Sequence, residues 1–306
     1  MKQPLVTITI PTYNQEKYIG RAIESCLKQD YPNLEIIVSD DCSTDQTFAI
    51  ATSFRNDKVK AFRTPQNIGR VKNYRHALYN LAEGEWVVNL DGDDQYSDPT
   101  FVSEAVKQLE KHSTCVMYVA GASSLDEATG IVTHSPINLK DKLTVLKGTE
   151  YVLNFYKYGQ IGQHFAVLYN RPLALQTDFY TLDSLGADTD SICRLALKGN
   201  VLIHKKWIGI WTSHGNNASY SLNTLQVDKE LRMLEHIAQA AKAHLPAPIV
   251  ERWINESKQL KFKQALWGNM STLSLRQGLV NLLRYWSWQR QDVKEFIKLF
   301  IRLFRK

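Results

Sequence analysis

The 306-residue sequence predicts an α/β protein: a mostly parallel, Rossmann-like sheet flanked by helices over residues 1–221, then a helical C-terminal region over residues 222–306. Three observations predict it. Short β-branched runs alternate with segments of helical apolar spacing, which is the pattern of strands joined by covering helices. A polar cluster follows at once on each of three predicted strands, where open parallel sheets bind their ligands. From about Leu222 the strand patterning stops and helical spacing continues to the end.

Val6–Ile10 is a β-branched run ending at Pro11, and Tyr18–Gln29 places Ile19, Ala22, Ile23 and Leu27 on one helical face. Glu35–Ser39 is the second strand, Thr47–Phe54 a helix, Val59–Phe62 the third strand, Val71–Leu81 a helix and Glu85–Leu90 the fourth strand. A helix over Pro99–His112 and a strand over Cys115–Ala120 follow. The polar stretch Asp126–Lys147 reads as an excursion or lid. A helix over Thr149–Tyr158, a strand over Phe165–Tyr169 and a helix beginning near Asp188 complete the first domain. In the C-terminal region Pro246-Ala247-Pro248 marks a break between helices.

With 44% hydrophobic and 22% charged residues, the chain has enough apolar material for a large globular domain with an appendage. The N-terminus lacks the basic and apolar order of a secretory signal, and no run is apolar enough to span a bilayer, so neither is expected. Cys26, Cys42, Cys115 and Cys193 are scattered, the spacing of reduced thiols in a cytosolic protein. Of the net charge of +6, residues from Arg284 onward carry seven Lys/Arg against two Asp/Glu, which leaves a nearly neutral body. That distribution argues against a nucleic-acid partner.

Asp91-Gly92-Asp93-Asp94 sets three carboxylates within four residues, where like-charge repulsion calls for a cation or a hydrogen-bond network. Mg²⁺ and Mn²⁺ take such oxygen ligands and keep positions open for phosphates, although loop aspartates also serve as caps and turns. Asp40 and Asp41 follow the second strand, and one of them can accept from the imide N–H of a nucleobase, while Asp45 reads as a helix cap. Tyr13 offers a flat face on which a base can stack, or ordinary packing. No glycine-rich, lysine-bearing phosphate loop and no G-x-G-x-x-G follows the first strand, which disfavours a nucleotidyltransferase and a dinucleotide oxidoreductase.

In their order along the chain, Pro11-Thr12-Tyr13-Asn14, Asp40-Asp41, Asp91-Gly92-Asp93-Asp94, Asp188 and His214 resemble the family 2 inverting glycosyltransferases of bacterial cell-surface polysaccharide synthesis, whose nucleotide-binding domain has the GT-A fold. The resemblance spans residues 5–220 and includes Gln66-Asn67-Ile68-Gly69 and the helix start from Arg70 to Asn73. It implies that Pro11, Thr12, Tyr13, Asn14, Asp41, Asn67, Gly69, Arg70, Asp91 and Gly92 bind the donor nucleotide. Tyr13 and Asp41 would hold the base, and Asp91 would lie near the ribose or shape the loop. It implies further that Asp93 and His214 hold a divalent metal, Mn²⁺ or Mg²⁺, with His204 a weaker alternative to His214, and that Asp188 is the catalytic base. The family's acidic pair reads Ala187-Asp188 here, which leaves Asp190 as the alternative base. The implied reaction transfers a sugar with inversion from a nucleotide diphosphate, a UDP-sugar by family habit, to a hydroxyl of a saccharide or lipid-linked saccharide.

From Val293 onward Lys294, Lys298, Arg302, Arg305 and Lys306 gather on one side of a helical wheel, and Val293, Phe296, Ile297, Leu299, Phe300, Ile301, Leu303 and Phe304 occupy the rest. Tyr285, Trp286 and Trp288 precede it. This is the pattern of an interfacial anchor on an anionic membrane, or of a helix packed on protein, including a homodimer contact. The anchor reading implies a peripheral enzyme on the inner face of the cytoplasmic membrane. The contrasting reading is a membrane-recruited scaffold without catalysis.

Overall fold

The computed structural model describes residues 3–158, 162–215, 217 and 224–269, with the single positions 276, 279, 280, 283 and 301. Apart from Ile301, the basic segment Val293–Lys306 and the aromatic residues before it lie outside the described residues.

Strand β1 (Val6–Thr12) is buried along its whole length and is followed by α1 (Ile19–Leu27), whose Ile19, Ala22, Ile23 and Cys26 recur at helical spacing and are buried. Next come β2 (Leu34–Asp40), α2 (Thr47–Ser53), β3 (Val59–Arg63), α3 (Arg70–His76) and β4 (Trp86–Asn89). The second half brings β5 (Gln95–Tyr96), α4 (Phe101–Lys111), β6 (Cys115–Asp126), β7 (Val132–His134), β8 (Leu143–Lys147) and α5 (Gly148–Asn154). It continues with β9 (Val167–Asn170), α6 (Arg171–Gln176), α7 (Ala187–Ala196) and β10 (Asn200–Ser213). The helices α8 (Thr224–Ala241) and α9 (Ala247–Asn269) follow, and α9 starts at the expected proline break, with Pro248 in its first turn, where proline costs no hydrogen bond.

The strands form one sheet in the order β3-β2-β1-β4-β9-β6-β10-β5, with β7 beside β6 and β8 beside β10. The run β3-β2-β1-β4 is parallel, as is the β6–β10 pair, whereas β9 runs antiparallel to both of its neighbours. The α/β class with flanking helices is therefore as expected; the strand expected over Phe165–Tyr169 is β9, and the sequence pattern hid only the short antiparallel strands β5, β7 and β8. The polar excursion 126–147 supplies β7 and β8 rather than a loop alone. Strand β10 is far longer than the apolar run Val201–Ile203, because register shifts around Trp207 carry Lys205 and Lys206 through an otherwise apolar alternation.

Ile8, Ile10, Ile36, Val38, Val88 and Leu90 of the central strands pack with Ile23 and Cys26 of α1 and with Phe101 and Val102 of α4. Each such side chain contributes about 1.5–3 kcal/mol on burial. Strand order reverses at β1, which has β2 on one side and β4 on the other. The register sets Thr12 beside Asp40 and Thr9 beside Asn89, so the carboxyl ends of β1, β2 and β4, and the polar clusters after them, share one edge of the sheet.

The chain divides into two compact units, Met1–Thr181 with Ser191–His214, and Leu182–Asp190 with Gly215–Lys306. Leu182–Asp190, expected with the sheet domain, groups with the helical unit because its backbone and carboxylates bond to α8. In that unit α8 and α9 run antiparallel: Lys261 reaches Glu230 at 3.0 Å and Lys258 reaches Glu235 at 2.5 Å. All four cysteines are free thiols, and Cys26, Cys115 and Cys193 are buried. Among the described residues no helix is long and apolar enough to cross a membrane.

Candidate active site

The first two polar clusters interlock at the strand ends. Asn14 takes a positive φ of 52°, donates its amide N–H to Ser43 Oγ at 2.9 Å and accepts from Thr44 N at 2.8 Å through its side chain. Asparagine tolerates this left-handed geometry better than most residues. Pro11 and Thr12 are buried at the end of β1, and Tyr13 is 45% exposed. The tandem carboxylates have different duties. Asp40 accepts from Ser43 N at 3.0 Å and pairs with Arg63 at 3.4 Å, bracing its own turn. Asp41 accepts from Ile68 N at 2.8 Å, Gly69 N at 2.9 Å and Thr64 Oγ1 at 3.1 Å. It thereby anchors the loop that carries Asn67, Gly69 and Arg70 to the end of β2. Gly69 adopts φ 91° and ψ 150°, a combination open essentially to glycine alone, and so starts α3 at Arg70. The Arg70 side chain is exposed and donates to Tyr74 Oη at 3.3 Å.

The carboxylate loop after β4 packs closely on β1. A Cβ on Gly92 would meet Thr12 Oγ1 at 2.7 Å, which leaves room only for glycine. Asp91 is half-buried and accepts from Asn89 Nδ2 at 3.2 Å. Asp94 is buried and accepts from Thr212 N at 2.9 Å, while Arg21 donates to Asp93 O at 2.9 Å and to Thr212 Oγ1 at 2.8 Å. These bonds tie the loop to the end of β10 and bring His214 to Asp93, Nε2 lying 2.9 Å from Oδ2. Burial, then the charge of Asp91, pushes the Asp93 carboxyl up, against the pull of its hydrogen bond with His214. Burial, then Asp93 and Asp91, pushes Asp94 well above the ordinary carboxylate range.

A carboxylate and an imidazole are ligand types that a divalent cation accepts, and Asp93 and His214 bring one of each together beside the crowded carboxylates of the loop. Among the described residues no group of three or more His, Cys, Asp or Glu side chains is arranged to hold a metal ion. His204 has another use: it is buried, with Nδ1 2.5 Å from Tyr118 Oη and 3.6 Å from Glu104.

Asp188 lies in the first turn of α7, half-exposed, in the segment that belongs to the second unit. Asp190 is fully buried and pairs with His236 Nδ1 at 2.9 Å.

The glycosyl transferase family 2 model matches residues 7–172, more than half of the chain and all of the strand ends just described except that of β10. The chain belongs to this family. Among curated relatives, poly(ribitol-phosphate) beta-N-acetylglucosaminyltransferase TarS of Staphylococcus aureus (strain Mu50) is 36% identical over 116 residues, 37% of this chain and 20% of that protein. Chondroitin synthase of Escherichia coli is 27% identical over 231 residues, 74% of this chain and 31% of that protein. These matches span well under half the length of either relative.

The crystal structure of S. aureus TarS 1–349 in complex with UDP matches with a TM-score of 0.70 at 21% identity, covering 96% of this chain and 83% of that one. Its complex with UDP-GlcNAc matches at 0.67 and 20% identity, covering 96% and 90%. Mannosyltransferase PcManGT from Pyrobaculum calidifontis, in complex with GDP-Man and Mn²⁺, matches at 0.55 and 18% identity, covering 100% and 88%. At these identities the likeness establishes the GT-A fold.

Within this family 2 fold, several residues that support the site have no motif in the sequence. Tyr18 stacks on His214 and donates to Glu127 Oε2 at 2.8 Å, and the Arg21 guanidinium lies 5.1 Å from the Tyr18 ring centre. Asn89 meets His164 Nδ1 at 3.1 Å, and His164 Nε2 meets Tyr180 Oη at 2.5 Å, a buried chain behind Asp91. The one available signal was a buried-strand asparagine, Asn89, directly before the Leu90-Asp91 turn.

Proposed function

We propose that the chain is an inverting, divalent-metal-dependent glycosyltransferase that moves a sugar from a UDP-sugar to a hydroxyl of a saccharide or lipid-linked saccharide. The observation that carries this reading is the Asp93–His214 pair at 2.9 Å, set on the sheet edge that also bears the Asp41-anchored loop. Tyr13 and Asp41, with Pro11, Thr12, Asn14, Asn67, Gly69 and Arg70, would receive the nucleotide, and Asp91 and Gly92 its ribose end. Asp93 and His214 would hold Mn²⁺ or Mg²⁺, which supplies a positive charge for the departing diphosphate. The GDP-Man and Mn²⁺ in complex with PcManGT, and the UDP-GlcNAc in complex with TarS, support this donor chemistry.

The acceptor oxygen attacks the anomeric carbon as the bond from that carbon to the nucleoside diphosphate breaks, and Asp188 takes the hydroxyl proton. Asp188 is preferred to Asp190 because Asp190 is buried and committed to His236. A thermal-shift and calorimetric screen against UDP, dTDP, GDP and CDP, with and without Mn²⁺ or Mg²⁺, tests the donor site. Metal-dependent stabilisation by one nucleotide that disappears in Asp93→Ala is the expected result. No binding by folded protein overturns the reading in favour of a scaffold. A product of retained anomeric configuration by NMR overturns the single displacement.

The basic C-terminal segment supports a place on the cytoplasmic face of the membrane, and the poly(ribitol-phosphate) and chondroitin in the names of TarS and chondroitin synthase support a polymer as the eventual product. Truncation after Asp292 should then abolish co-sedimentation with anionic vesicles. Undiminished binding would assign the segment to protein packing.

A further inference from the structure

We infer that α8 is the positioning element for Asp188, through Glu230 and His236; the inference rests on the reading of Asp188 as the base. The segment Leu182–Asp190 belongs to the same compact unit as α8. Glu230 is a buried carboxylate with both oxygens engaged. Its Oε1 accepts from Gly186 N at 2.8 Å, and its Oε2 accepts from Lys261 Nζ of α9 at 3.0 Å. One turn on, Met233 is fully buried, and its sulfur lies 2.5 Å from where a Cβ on Gly186 would sit, so the segment approaches the helix where it has no side chain. One further turn on, His236 Nδ1 pairs with Asp190 Oδ1 at 2.9 Å. At the outer end Lys229 reaches Asp183 at 2.6 Å.

Positions 230, 233 and 236 recur at the spacing that lines one face of a helix. Their contacts fall on Gly186 and Asp190, two residues before and two residues after Asp188. Asp190 N also donates to Gly186 O at 2.9 Å and closes the first turn of α7 around the base. The backbone of Asp188 is thus fixed on both sides while the residue itself stays only half-buried. A base must meet its proton at hydrogen-bond distance, and a displacement of about 1 Å costs on the order of 100-fold in rate. The Asp190–His236 and Glu230–Lys261 pairs each have one buried carboxylate and one partly exposed partner, so they add little stability, and holding a single geometry is the role inferred for them. On this inference α8 holds the segment that bears Asp188.

The test uses the full chain and two readouts. Amide hydrogen exchange of peptides within 182–196 should speed up in Glu230→Ala, while peptides from β1 and β2 stay unchanged. UDP release from UDP-N-acetylglucosamine and UDP-glucose, with water as the acceptor, should show kcat reduced by about 10- to 100-fold and KM unchanged. Glu230→Gln, which keeps the acceptor for Gly186 N, should restore most of both. In an Asp188→Asn background Glu230→Ala should lower kcat no further. Faster exchange across all peptides would reduce Glu230 to a general stability role and overturn the inference. Loss of turnover in Asp188→Asn, with exchange and kcat both unmoved in Glu230→Ala, would overturn the positioning role alone. Full turnover in Asp188→Asn would instead overturn the base assignment, and the catalytic role of α8 with it.

Discussion

Tyr18 stacks on His214 with ring centres 4.9 Å apart and planes within 11° of parallel. The stack fixes the imidazole plane and leaves Nε2 directed at Asp93. Tyr18 is itself held by the hydrogen bond to Glu127, so a residue on α1's approach and one after β6 together set a candidate metal ligand. Partners that orient a ligand typically contribute 10- to 100-fold to metal affinity. Tyr18→Ala should therefore weaken Mn²⁺ binding in the presence of UDP by about that factor, and Tyr18→Phe, which keeps the ring, should weaken it less. Calorimetric Mn²⁺ titration decides this, and equal affinity in the alanine variant would remove Tyr18 from the site.

The loop 64–69 offers a cleaner backbone test. A Cβ at Gly69 meets no atom within 4 Å, so Gly69→Ala adds no clash and reports only the cost of φ 91°. That cost is about 1–3 kcal/mol. Either urea midpoints fall by the corresponding amount, or the loop changes conformation. In the second case UDP affinity falls instead, because Asn67 and Arg70 move with the loop.

His204 should make stability depend on pH. Burial, then Lys142 and Lys206, hold its imidazole below the usual histidine range, against the opposing charges of Glu104 and Asp98. The unfolded chain takes up a proton near pH 6.5, before the folded protein does. Stability is therefore greatest above about pH 6.5 and declines as pH falls toward the lowered folded value. Chemical denaturation between pH 5 and 8 should show that slope, and His204→Gln should flatten it while costing some stability through loss of the Tyr118 contact.

The sequence made the left half of the sheet legible because β1, β2 and β4 are buried on both faces and read as apolar runs ending in polar clusters. Strands β7 and β8 were hidden because they are three and five residues long within a stretch dominated by polar and turn residues, and β5 because two residues make no pattern. Lys205 and Lys206 obscured β10 for a related reason: Lys206 is stretched along α4 to Asp98 and Glu104, at 2.6 and 2.9 Å, so its charge sits at the rim while its strand continues. In the site, the carboxylates could be found from spacing, since each follows its strand directly. The residues that orient them could not: Arg21 reaches Asp93 across 72 positions and His236 reaches Asp190 across 46, and no local pattern encodes such pairings.

The two aspartates of α7 should separate cleanly by experiment. Asp188 is half-exposed, and replacing it with asparagine removes a proton acceptor while preserving shape. Asp188→Asn should reduce transfer by about 100-fold or more and leave melting temperature and UDP affinity unchanged. Asp190 is fully buried with an imidazole partner that is 40% exposed. Solvent around His236 screens part of the pair, so Asp190→Asn should cost stability by only about 1–2 kcal/mol. Its effect on rate should follow from a looser first turn, with KM for the donor intact. The reverse pattern, an unstable Asp188→Asn and a stable but inactive Asp190→Asn, would move the base two residues along the helix and require His236 to release its partner during turnover.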